Sequence, residues 1–235
     1  MNMDMEASKA EGPKAATPAA AGANQAGVNL ASMAYRTILE MILDRRIPSG
    51  EVIVEDRLAT ALSISRTPIR EALVRLASEG LIRKEFNRPY RVREVSNREY
   101  FQSMRLREIL EGEAIAAAAS RVDPVRLQAM KAEMLRLRDE PKIRFEDHWA
   151  ADEELHTLIA EASGNAVLAQ IIRDLRVTTR LFELSGLPSR IRPDCDEHLD
   201  VIAALETGDA AQARAAMERH IRSLAKDVLG EIAKS

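Results

Sequence analysis

The chain has 235 residues, 46% hydrophobic and 30% charged, with a net charge of −3 and 3% aromatic residues. That balance supports a packed core and favours helices over sheets. It holds neither the roughly 18 consecutive apolar residues of a membrane span nor the basic-then-apolar order of a signal peptide, and its single cysteine, Cys195, excludes an internal disulfide and fits a reducing cytoplasm.

Residues 1–30 are rich in Ala, Gly, Pro, Ser and Asn without periodicity, and are predicted to be a disordered tail. A first helix is expected from Met33 to Arg46, with Tyr35, Ile38, Leu39 and Ile42 on one apolar face. Ile47-Pro48-Ser49-Gly50 ends it. A short second helix follows over Glu55–Leu62. A third runs from Ser65 to Glu79, with Ser65 as N-cap, Pro68 in the first turn and Gly80 as the stop. Two strand-like segments, Leu81–Phe86 and Tyr90–Val95, flank the turn Asn87-Arg88-Pro89. Residues 31–95 therefore read as a winged helix-turn-helix. Met33–Val95 carries 12 Lys+Arg against 9 Asp+Glu, whereas Ser96–Ser235 carries 20 against 25, so the front of the chain is the part suited to phosphates.

Residues 96–235 are helical throughout, with helices expected at about 97–121, 124–139, 145–163, 166–185, 190–207 and 209–230. The fold class is mainly α: an N-terminal winged helix-turn-helix of three helices plus a β-hairpin, and a C-terminal all-α six-helix bundle.

The third helix carries the first candidate chemistry. Its N-terminus offers unpaired N–H groups and a positive dipole end. Arg66 and Arg70 share one face beside Thr67, and arginine matches guanine O6 and N7 with two hydrogen bonds. Taken alone, the stretch also reads as a solvated helix; the short helix before it and the hairpin after it favour DNA. The run Leu58-Ala59 through Ser65-Arg66-Thr67-Pro68-Ile69-Arg70-Glu71-Ala72-Leu73, then Leu76 and Glu79-Gly80-Leu81-Ile82, resembles the GntR family of bacterial regulators. The resemblance implies that Ser65, Arg66, Thr67 and Arg70 contact a DNA operator, with the wing turn and Arg88 reaching the minor groove. Some relatives place an arginine where this chain has Asp56, leaving Arg57 as the neighbouring cation, and Pro89 stands where a wing glycine is usual.

The second candidate lies in the helical part. Asp152 and His156 are four apart on one helix, His198 lies on the fifth helix of the bundle and His220 on the sixth. A carboxylate with three imidazoles suits a divalent transition metal, although spacing alone leaves open whether the helices bring them together. Asp152-Glu153-Glu154-Leu155-His156, then Ala162-Ser163-Gly164-Asn165, Glu197-His198 and Arg219-His220, resembles the FCD effector domain of the FadR branch. The resemblance implies a metal held by Asp152, His156, His198 and His220. The ion would be zinc first, with nickel or manganese as alternatives. It also gives Arg107 and Glu111 a place facing the effector cavity, the bland alternative being an i,i+4 salt bridge, and Arg176 and Arg180 join them as candidate cavity residues. Six helices suggest the shorter, VanR-like subgroup, whose members pair as homodimers on palindromic double-stranded operators. His148 has no matching role and reads as a surface residue.

The expected function is a DNA-binding repressor controlled by a small carboxylate effector at or near the metal. Two alternatives stand beside it: a purely structural metal with a larger effector, and a metal-dependent enzyme. The chain has no His-Glu-x-x-His and no Gly-x-Ser-x-Gly, so no catalytic residue is assigned.

Overall fold

A computed structural model describes residues 18–84, 86, 88–183 and 190–234. The elements in chain order are α1 (Pro18–Leu43), α2 (Glu55–Leu62), α3 (Arg66–Ser78), β1 (Ile82–Lys84), β2 (Tyr90–Val92), α4 (Asn97–Ala118), α5 (Pro124–Asp139), α6 (Phe145–Ala162), α7 (Ala166–Glu183), α8 (Ile191–Glu206) and α9 (Ala210–Ile232).

Residues 1–17 of the expected tail lie outside the described residues, but 18–30 are helical rather than disordered. Alanine, the best helix former, lets α1 extend backwards from its apolar face, and Pro18 is tolerated in its first turn. At the other end α1 stops at Leu43, before the expected Arg46, because Arg45 turns left-handed at φ 56° and Ile47 N donates to Met41 O at 2.9 Å. Ser65 occupies the N-cap of α3 in extended conformation, yet its hydroxyl makes no capping hydrogen bond. The strands are shorter than expected, and the hairpin pairs Ile82 with Val92 and Lys84 with Tyr90. A third segment was not anticipated: Ile53 N donates to Tyr90 O at 2.8 Å and Val92 N to Glu51 O at 3.0 Å, so residues 51–53 brace the wing. Asn87, in the wing turn, and the predicted break at Gly186-Leu187-Pro188 lie outside the described residues.

The six helices α4–α9 form the bundle. Its boundaries follow local chemistry: Asp123 caps α5 by accepting from Val125 N at 2.9 Å, and Asp209 caps α9 by accepting from Ala211 N at 2.8 Å. Gly164, at φ 75°, turns the chain between α6 and α7, where an added Cβ would meet Arg121 Nη1 at 2.7 Å.

Two cores result. The first packs Ile38, Leu58, Ile69, Leu73, Leu76 and Val92 inside the winged helix, and it includes Leu181 of α7, with Val177 against it. The second packs Met104, Ile115, Met134, Leu155, Val201 and Met217 inside the bundle. Helix α7 reaches both: its Phe182 packs against the bundle core, while its Ala169 and Ile172 form a small third cluster with Ala114 and Ala160. Among the described residues no helix is long and apolar enough to cross a membrane.

Candidate metal centre and effector cavity

Helix α6 carries Asp152 and His156 one turn apart, α8 brings His198 and α9 brings His220. Their ligand atoms lie within 4.8 Å of one another. His156 Nε2 is 3.3 Å from His198 Nε2, and Asp152 Oδ1 is 3.5 Å and 3.3 Å from those two nitrogens. All three imidazoles are buried. A tetrahedron with bonds of about 2.1 Å has edges of roughly 3.4 Å, so these separations suit one small ion.

Two of the imidazoles are held from behind, and the third, His198, has a carboxylate near its Nδ1 but no hydrogen-bond partner there. Glu111 Oε2 contacts His156 Nδ1, Glu197 Oε2 lies 3.0 Å from His220 Nδ1, and Asp194 Oδ2 lies 3.6 Å from His198 Nδ1. A carboxylate behind Nδ1 fixes the proton there and turns the Nε2 lone pair towards the ion. Three lone pairs aimed at one point repel unless a cation sits between them. His220 Nε2 is buried and has no hydrogen-bond partner, as an unfilled ligand would. Burial, aided by Arg176, lowers His156 to about pKa 4, and burial also lowers His220, so both are neutral donors at neutral pH. The donor set fits a divalent transition metal.

Asp152 is positioned from α7. Arg176 Nη2 donates to its Oδ2 at 2.6 Å and to Glu153 Oε2 at 3.0 Å. Burial by itself would raise Asp152, but Arg176 and the histidines hold it well below the usual carboxylate range. Glu111 is likewise held low by Arg107 and His156 against the effect of burial. Arg107 donates to Glu111 Oε1 at 2.7 Å and to Thr179 Oγ1 at 3.0 Å. Of the four expected effector contacts, Glu111 is thus turned to His156 and is not among the described residues lining the cavity; the i,i+4 pair with Arg107 is real and buried.

A cavity of about 90 Å³ opens beside Asp152 and is lined by Arg107, Arg176 and Arg180, with Trp149, Thr179, Glu183, Arg190 and Asp194 among its other walls. Arg107 and Arg176 are neutralised as described, and Arg190 pairs with Glu197 at 2.5 Å and with Asp227. Arg180 differs. Its guanidinium sits over the Trp149 ring, its buried Nε has no hydrogen-bond partner, and it forms no ion pair with a carboxylate among the described residues. Burial lowers its pKa to about 9. Across the cavity Tyr100 donates to Glu183 Oε1 at 2.8 Å, and burial raises Glu183 to about 7.

Three residues beside the candidate ligands were given no role in the sequence reading. His148 is buried, not a surface residue, with Nε2 2.9 Å from Asp194 Oδ2. It lies four before Asp152 and eight before His156, a spacing that placed it on their face. Asp194, four before His198, offered the same signal, whereas nothing local distinguished Glu197 from other helical glutamates.

In the winged helix, Arg66, Thr67 and Arg70 are exposed at the start of α3, and Arg57 is exposed on α2. Arg66 Nε lies 2.6 Å from Asp56 Oδ1, and Arg70 Nε donates to Glu55 Oε2 at 2.7 Å. Arg88 is exposed in the wing.

Comparison with known proteins gives two family matches. The model described as the FCD domain matches residues 102–223, and the model of bacterial regulatory proteins of the gntR family matches residues 30–92. The chain is 28% identical over 187 residues to the Nta operon transcriptional regulator of Aminobacter aminovorans, covering 78% of this chain and 89% of that protein. It is 23% identical over 198 residues to the HTH-type transcriptional repressor RspR of Escherichia coli K12, covering 83% and 86%. The solved structure of E. coli McbR/YncC shares the fold with a TM-score of 0.69 at 20% identity, over 86% of this chain and 98% of that one.

Proposed function

The chain belongs to the gntR family of bacterial regulatory proteins, in the branch that carries an FCD domain, and from that premise we propose that it is a homodimeric repressor whose operator affinity is set by a small carboxylate bound beside a metal. Both matched domains and the relatives are transcription regulators, which removes the enzyme reading. The single observation that carries the sensor reading is the convergence of Asp152, His156, His198 and His220 next to a cavity that holds Arg180, which has no acidic partner among the described residues.

Asp152, His156, His198 and His220 would hold the ion, zinc by the nitrogen-rich donor set, and the ion would supply a positive centre for an oxygen donor. Arg180 would take the carboxylate's second oxygen by a charge-assisted hydrogen bond, replacing part of its contact with Trp149. Glu111 and Glu197 keep His156 and His220 aimed, and Arg176 keeps Asp152 ionised. The small cavity favours a small ligand. Two copies would pair through Leu106 and Ile109 of α4 and Val167 and Ile171 of α7, which are all exposed, and would place Ser65, Arg66, Thr67, Arg70, Arg57 and Arg88 on each half of a palindrome.

Thermal melting of chelated and zinc-reloaded protein against a panel of small carboxylates tests this. Zinc should raise the melting temperature by several degrees, and one carboxylate should add a further shift only when zinc is present. Arg180→Ala should keep the zinc shift and lose the carboxylate shift. A zinc shift with no response to any carboxylate would instead support a structural metal, and no zinc shift would overturn the metal reading.

A further inference from the structure

The two arginines expected to read bases are not free: each is engaged by an acid of α2, and both through the same atom. Arg66 meets Asp56 at Nε, at 2.6 Å, and Arg70 meets Glu55 at Nε, at 2.7 Å. Neither guanidinium makes an Nη hydrogen bond within the described residues. The acids are consecutive on α2 and the arginines one turn apart on α3, so the two contacts form neighbouring clasps between the helices, hydrogen-bonded at Arg70 and an ion pair at Arg66. We propose that Glu55 and Asp56 set operator specificity, each occupying the Nε side of one arginine so that its two Nη groups are the ones offered to a base edge.

A guanidinium carries one N–H on Nε and four on its Nη atoms. Unclasped, it can offer either of two edges to a base, or swing to a phosphate, which carries no sequence information. A carboxylate on Nε leaves the Nη pair, and guanine O6 and N7 accept two parallel N–H bonds. The carboxylate also cancels the arginine's charge. The two clasps together are electrically neutral, so the reading end of α3 gains little from non-specific phosphate attraction, and that attraction falls to Arg57 and the wing. In free protein the clasps are exposed and add little to stability. Against DNA, where water is excluded, the same contacts strengthen and the orientation they impose begins to matter. Neutral clasps thus trade affinity for any duplex against discrimination among duplexes.

This rests on the reading of Arg66 and Arg70 as base contacts, and the experiment separates the two ideas. A random duplex pool selected with the full-length protein gives a bound site. Binding is then titrated at fixed salt to that duplex, to versions with each guanine replaced by adenine, and to a scrambled duplex, for wild type, Glu55→Gln, Asp56→Asn, Arg66→Ala and Arg70→Ala. Unchanged melting temperatures check the fold of each variant. Glu55→Gln and Asp56→Asn should bind the scrambled duplex more tightly, while their preference for guanine at one position each falls roughly tenfold. Arg66→Ala and Arg70→Ala should lose the preference at the same positions. Loss in the alanine variants with full discrimination in Glu55→Gln and Asp56→Asn would overturn the clasp and leave the arginines as readers. Full discrimination in all four variants, or a pool that yields no site, would overturn both.

Discussion

His148 and Asp194 illustrate how a few buried ionisable groups govern the behaviour of the bundle. Burial lowers the pKa of His148, but the Asp194 carboxylate and the Cys195 thiol more than reverse this and raise it to about 10. A histidine whose folded pKa lies above its unfolded value of about 6.5 adds stability that is complete below pH 6.5 and is lost as pH rises through 10. His156, lowered to about 4, has the opposite sense: its contribution is present above pH 6.5 and is lost as pH falls towards 4. Replacing His148 with Gln should cost about 1.5–3 kcal/mol at pH 6, the range for a hydrogen bond to a charged group. That gap should close by pH 10 in thermal melts; a gap constant across pH would show that His148 is neutral in the fold. The candidate quartet came from the resemblance to the FCD domain, since spacing alone left open whether Asp152, His156, His198 and His220 converge; the fold brings the four together. Asp194 and Glu197 were not legible in the sequence: acids are common on helices, and only tertiary packing distinguishes the two that stand behind an imidazole from the rest.

At the level of elements, α7 is shared between the two halves of the chain. Arg176, Thr179, Arg180 and Glu183 face the cavity. Val177 and Leu181 pack into the core of the winged helix, and Thr178 Oγ1 accepts from Arg93 at 3.0 Å, just beyond β2. Arg93 also pairs with Glu99 in the first turn of α4. A ligand that draws Arg180 away from Trp149 acts on a helix whose other side is part of the DNA-binding core. Leu181→Ala should cost roughly 2–5 kcal/mol by leaving a hole at that junction. It should also weaken the effect of ligand on operator binding while zinc affinity is retained, as fluorescence anisotropy on labelled operator would reveal; an unaltered ligand effect would place the coupling elsewhere. The extents of α2 and α5 were plain in the sequence, since Pro124 behind its capping Asp123, and the turn residues after Leu62, leave little choice. The start of α1 was not, because an Ala- and Gly-rich stretch suits coil and helix alike. The brace at residues 51–53 was invisible for another reason: a bridge of one or two residues has no period to detect.

For the whole molecule, exposed apolar residues on the outer faces of α4 and α7 are the best candidates for what joins two copies. Leu106 and Ile109 are 48% and 44% exposed, and Val167 and Ile171 are 70% and 43%, apolar surface that a second copy would cover. If two copies pair through this face, as proposed, Ile109→Glu combined with Ile171→Glu should convert the dimer to a monomer in sedimentation velocity and weaken operator binding by at least tenfold, because each copy would then grip one half-site alone. A double variant that stays dimeric would move the interface to another face. The sequence announced two domains and their order through the change from a strand-bearing front to uninterrupted helical periodicity at Ser96. It could not announce that α7 is common property, because Val177 and Leu181 look like any other apolar residues of an amphipathic helix.

The candidate metal centre is closed on the side of its histidines: His156, His198 and His220 are each no more than 2% exposed, whereas Asp152 borders the cavity. Among the described residues, then, the ion's way in and out leads past Asp152 and through the chamber where the carboxylate would sit. A seated ligand is also a stopper. Occupancy by the effector would slow the escape of the ion, and the protein would keep its metal longest in the cells where its signal is most abundant.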